Sequence, residues 1–139
     1  ADFKVICSSV PMTPNVKPDS LDTWDGYQEE REDIFSFITA NRIGGVFVLA
    51  ADQHRSDAWK NQRPGKAYPI YEFMSSRLTN IHAHRVMEGC LFGYNAKPSF
   101  GEVVFDFTRR DPAVKYTAYS IDNEDVGSVE VALSQLQIR

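Results

Sequence analysis

Five consecutive apolar residues, Val46-Phe47-Val48-Leu49-Ala50, constrain this chain more than any other feature. A strand with one wet face alternates apolar and polar side chains, so an unbroken apolar run suits a strand covered on both faces. Such strands lie at the centre of α/β sheets. The segments upstream agree. Residues 3–8, opening Phe3-Lys4-Val5-Ile6-Cys7, read as a short strand, with Cys7 a small core residue. The following Pro11, Pro14 and Pro18 define a loop, because proline fixes φ and removes a donor. Residues 25–41 are predicted to form a helix, with Tyr27, Ile34, Phe35 and Ile38 on one stripe. Asp25 and Gln28 are spaced for an N-terminal cap, Glu29, Glu30, Glu32 and Asp33 favour the positive end of the helix dipole, and Gly44-Gly45 ends the pattern. Strand, helix and buried strand together predict a βαβ-like unit.

Beyond it, residues 55–68 are polar and read as a loop, and Ile70 to Met74 read as a strand. Residues 75–99 are mixed and carry no assignable pattern. From Phe100 onward, Val103, Phe105 and Phe107 alternate with other residues, Val114–Ile121 forms a second run, and Val129, Val131 and Leu133 alternate again. Short turns between three strands predict an antiparallel meander. The expected organisation is therefore strand-helix-strand over 1–54, a loop-rich segment over 55–99, and antiparallel strands over 100–139.

Charge narrows the functional classes. Fifteen basic and nineteen acidic side chains give a net charge of −4, the wrong sign for an electrostatic nucleic-acid binder. No apolar run approaches the roughly 20 residues of a membrane span. Gly-x-Ser-x-Gly elbows and glycine-rich phosphate loops are absent from the sequence. Cys7 and Cys90 allow at most one bridge. The chain opens Ala1-Asp2-Phe3, without Met or a leader, which reads as a processed or cut start.

The most informative chemistry follows the apolar strand directly. Asp52-Gln53-His54 stands at its carboxyl end, where sites gather in open α/β sheets. In extended chain, residues i and i+2 point to the same side, so Asp52 and His54 could converge on one ion. Carboxylate oxygen and imidazole nitrogen suit zinc, manganese, iron and similar metals, although two ligands are fewer than a complete site needs. The plain alternative is a polar strand end that caps a turn. His82 and His84 repeat the i, i+2 spacing and form a weaker second pair. Arg55, Lys60, Arg63 and Lys66 against Asp57 make the loop over 55–68 locally basic, so Arg55, Lys60 and Arg63 are candidate phosphate-binding residues.

The ordered set of segments resembles a known family. Phe3-Lys4-Val5-Ile6, Asp22-Thr23-Trp24-Asp25-Gly26-Tyr27, Gly45 to His54, Tyr68 to Asn80 and Phe100-Gly101-Glu102-Val103-Val104-Phe105-Asp106 are together similar to the later half of alkaline phosphatase D (PhoD-like) enzymes, within the calcineurin-like metallophosphoesterases. The resemblance covers nearly the whole chain and implies an α/β fold, half of an α/β/β/α sandwich. Asp52 and His54 are the implied metal ligands of a binuclear centre, with divalent or trivalent ions such as Zn, Mn, Fe or Ca. The family pattern Gly-Asp-x-His has Ala51 in place of its glycine here, and Ser8-Ser9-Val10-Pro11 lacks the further histidine that the broader group often places there.

The implied function is the carboxyl-terminal portion of a metal-dependent phosphomonoesterase or phosphodiesterase. It acts on a phosphate-ester substrate and is inactive as an isolated segment. The implied partners are an amino-terminal half of the fold and, for its exposed sheet surface, a second copy of the chain. Exported or periplasmic residence is a family-level expectation. The alternative is a non-catalytic binding or structural domain derived from the same fold, motivated by Ala51 and the missing histidine.

Overall fold

The computed structural model describes every residue except 19, 80 and 139. Two sheets form around one core. The larger has five strands: β1 (Lys4–Cys7), β2 (Val46–Ala50), β3 (Ser56–Asn61), β4 (Ile70–Ser75) and β5 (Phe92–Tyr94), in the order β1-β2-β4-β3-β5. β1 runs parallel to β2, and β2 parallel to β4, whereas β3 is antiparallel to both β4 and β5. The smaller sheet is the expected meander of β6 (Ser99–Asp106), β7 (Ala113–Ser120) and β8 (Asp125–Ala132), antiparallel throughout. The fold is mixed α/β, as the sequence predicts.

The apolar run of β2 is central, and its residues divide between two faces. Phe47 packs against Phe73 of β4 and Phe105 of β6, with ring centroids 5.6 and 6.1 Å apart. Phe73 in turn stacks on Tyr116 of β7 at 4.9 Å, which joins the two sheets. On the opposite face Val46 lines a cleft with Ile34 and Ile38 of α1 (Gln28–Ala40). Both faces of β2 are thus covered, which is why no polar residue interrupts the run.

Three local expectations are corrected. The helix starts at Gln28, preceded by a 3-10 turn over Trp24–Gly26. Tyr27 occupies its N-cap position without a side-chain bond, and the Asp25 carboxylate instead accepts from the Asn15 amide at 2.9 Å and from Arg31 at 2.7 Å. The polar stretch after residue 55 contains strand β3, inserted between β4 and β5. Its sequence, Ser-Asp-Ala-Trp-Lys-Asn, has no apolar run, but its two most buried polar side chains are bonded: Ser56 to Ser75 and Ser99, each at 2.8 Å, and Asp57 to Arg55. Cys7 is exposed, because β1 is an edge strand, and both cysteines are free thiols.

The proline-rich loop is tied to the sheet from below. Glu72 on β4 is fully buried, and its Oε2 accepts the backbone N–H groups of Met12 at 2.8 Å and Thr13 at 2.9 Å. Arg55 donates to the Val16 carbonyl at 3.3 Å and forms a 2.6 Å ion pair with Asp57, both side chains being buried. Two buried ionisable side chains therefore fix a segment that proline keeps out of both helix and ladder.

Candidate metal centre

The parallel pairing of β2 and β4 brings their carboxyl ends to one edge of the sheet. The turn after β2 carries Asp52-Gln53-His54, and the long connection after β4 carries His82 and His84. The backbone at the first turn is not extended: φ is +78° at Asp52 and +46° at His54. The alternation that would set Asp52 and His54 on one side does not apply there. Aspartate and histidine are among the side chains that enter the left-handed region most readily. Ala51 stays outside that region, so the glycine it replaces is not needed for φ at this position.

The left-handed turn brings the His54 imidazole toward the second loop. Its ring centroid is 5.8 Å from that of His82 and 5.6 Å from that of His84, and His82 and His84 are 4.9 Å apart. One nitrogen from each of the three rings lies within 4.8 Å of the others. The Asp52 carboxylate is exposed and accepts from the Gln53 side-chain amide at 2.7 Å. Gln53 itself is fully buried. The expected His82–His84 pair does converge, and what sequence spacing missed is that His54 joins it across the β2–β4 edge. Only the parallel register of β2 and β4 could have revealed it.

The basic residues are placed differently from the sequence expectation. Arg55 is held in its buried pair with Asp57. Strand β3 runs antiparallel to β4 and carries Lys60 and Arg63 away from the histidines, Asn61 pairing with Ile70 at the start of β4. At about 3.4 Å per residue the displacement along β3 is about 17 Å. There Lys60 lies over the Tyr71 ring, and Arg63 bonds Glu32 at 2.6 Å above the Phe35 ring. Two other cations lie beside His84. Lys17, in the proline-rich loop, and Arg85, beside His84, line a cavity of about 310 Å³ together with His84 and Arg55. Burial pushes the His84 imidazole below the usual histidine range, and the nearby His82 and Lys17 charges act in the same direction. Lys17 did not stand out in the sequence, since it lies 35 residues before Asp52.

A family model for PhoD-like phosphatases matches residues 1–138. The chain belongs to the PhoD-like phosphatase family. A 37-residue segment is 43% identical to alkaline phosphatase D of Bacillus subtilis (strain 168), covering 27% of this chain and 6% of that protein. The solved structure of PhoD superposes with a TM-score of 0.57 at 19% identity, over 94% of this chain and 32% of that one. That likeness shows a shared fold, and this PhoD-like chain spans about a third of the solved protein's length.

Proposed function

We propose that this chain supplies the His54 arm of a metal-dependent phosphoester hydrolase whose complete site draws on further PhoD-like sequence. The observation that carries the reading is the position of His54: it leaves the carboxyl end of the central parallel strand, in a PhoD-like family member, and meets other imidazoles there. Imidazole nitrogens are donors that hydrolytic dications accept, so the residues present fit the implied metal chemistry. The bound ions would activate water and offset charge on the phosphoryl group.

The chain's own residues have separate tasks. His54 holds metal, and Asp52, on the same turn, is the second ligand that the family pattern implies. Lys17 and Arg85 draw a phosphate ester toward the histidines through the cavity they line. Arg55 fixes the Val16 carbonyl and so places Lys17, which makes it a positioning residue. The exposed apolar side chains Phe100, Val104 and Phe105 on β6 support a fold that continues beyond these strands.

The test is hydrolysis of p-nitrophenyl phosphate and bis-p-nitrophenyl phosphate by the full-length polypeptide that carries this segment. Metal-dependent turnover that falls at least about a hundredfold in His54→Ala supports the reading. Metal binding without hydrolysis of either ester contradicts it and favours a non-catalytic domain of the same fold.

A further inference from the structure

The hydrolase reading names Asp52 and His54 as ligands and assigns none to His82 and His84. We propose that His54, His82 and His84 together bind one nitrogen-preferring transition-metal dication of the zinc type, with a fourth position open toward the cavity lined by Lys17 and Arg85. The site stands on the placement of three side chains and rests on the hydrolase reading only through His54 and the cavity lined by Lys17 and Arg85.

Three observations carry it. The first is proximity: one nitrogen per ring lies within 4.8 Å of the other two. A tetrahedral ion with bonds of about 2.0–2.1 Å needs nitrogens about 3.4 Å apart, a closure that imidazole rotation supplies. His82 is exposed and His84 half-buried.

The second is the hold on the loop that bears them. Arg77, just past β4, donates to the carbonyls of Asn95 and of Ile81, the latter at 3.4 Å, and the Asn95 side-chain amide donates to the His84 carbonyl at 3.0 Å. The backbone is thus gripped on both sides of the histidine pair. Such outer contacts orient ligands and sharpen metal affinity.

The third is donor chemistry. Three neutral imidazoles favour zinc, cobalt, nickel or copper, whereas calcium and magnesium demand oxygen. Three protein ligands with one open position is also the pattern of reactive zinc sites, as against closed structural ones. The neighbouring cations oppose a dication, but Arg55 is held in its buried ion pair with Asp57.

The experiment compares the full-length wild-type polypeptide with a His82→Ala/His84→Ala double variant, each stripped by chelator and reloaded with Zn²⁺ or Co²⁺. Wild type should retain one metal equivalent more than the double variant. Its Co²⁺ form should show visible bands that the variant lacks, with affinity at that site at least tenfold weaker in the variant. Equal metal content and identical spectra overturn the proposal. Equal content with hydrolysis lost only in His54→Ala overturns this inference and leaves the hydrolase reading intact. One equivalent lost in the double variant, with no hydrolysis by wild type, does the reverse.

Discussion

The imidazoles of His54 and His84 lie 5.6 Å apart, centroid to centroid, although they belong to different loops. They meet because β2 and β4 are adjacent and parallel, so both chains leave the sheet at the same edge. Open α/β sheets bind ligands at that edge. The relationship converts two separate histidine motifs into one cluster.

The contact from the Asn95 amide to the His84 carbonyl tests that arrangement without touching a ligand. Asn95→Ala should weaken Co²⁺ binding at the cluster about tenfold while leaving the unfolding midpoint nearly unchanged. Spectroscopic titration beside a thermal melt separates the two effects. A variant with unaltered affinity shows that the loop needs no such anchor.

Glu72 predicts a pH dependence of stability. Burial pushes its carboxyl up to about 7, outweighing the two backbone donors from Met12 and Thr13 that favour the charged form. Its ordinary value is 4.5. Between those values the folded chain keeps a proton that the unfolded chain releases, so stability falls as pH rises from 4.5 to 7 and levels off above. The loss is on the order of 3 kcal/mol. Glu72→Gln keeps an acceptor for both amides and removes the titration. Denaturant unfolding across this range should give a flatter profile for the variant, and equal slopes contradict the assignment.

The buried Arg55–Asp57 pair makes a different prediction. Removing one partner strands the other, so Arg55→Ala should cost about 3–5 kcal/mol. Asp57 is already pushed upward by burial, with Arg55 opposing the shift, so losing the guanidinium should drive the carboxyl to take up a proton. Arg55→Met/Asp57→Leu, with both charges gone, should be more stable than Arg55→Ala alone. Equilibrium unfolding of the three proteins checks the order.

Gly45 stands where the chain enters β2, with φ at +75° and room for no side chain: an added Cβ would fall 1.8 Å from the Asp2 carbonyl oxygen. Its own carbonyl accepts the Lys4 N–H at 2.8 Å and so registers β1. Gly45→Ala should cost about 1–2 kcal/mol from backbone conformation alone, with more from displacing residue 2, and lower the melting temperature by several degrees. Calorimetry decides it, and an unchanged midpoint argues against this close approach.

Much of this was legible in the sequence because local pattern and tertiary environment agreed. Val46–Ala50 is apolar on both sides because both sides are covered, and the last three strands alternate and turn as a meander must. Strand β3 was not legible. Its Ser56 and Asp57 are buried by virtue of hydroxyl and guanidinium partners supplied from elsewhere in the chain. The site was half legible: the position after β2 pointed to Asp52 and His54, but spacing assumed extended backbone where φ is positive. His82 and His84 joined His54 only through a strand register that single-residue patterns do not encode. Lys60 and Arg63 misled because a strand carries them to the far end of the sheet.

The central claim is that His54 belongs to the coordination shell of a hydrolytic metal in a PhoD-like site. Anomalous diffraction from crystals of the full-length polypeptide, grown with Zn²⁺ or Mn²⁺ and phosphate, addresses it most directly. A metal peak about 2.1 Å from a His54 imidazole nitrogen, with phosphate beside it, is the predicted result. Metal peaks elsewhere, with His54 bound to none, would contradict the account.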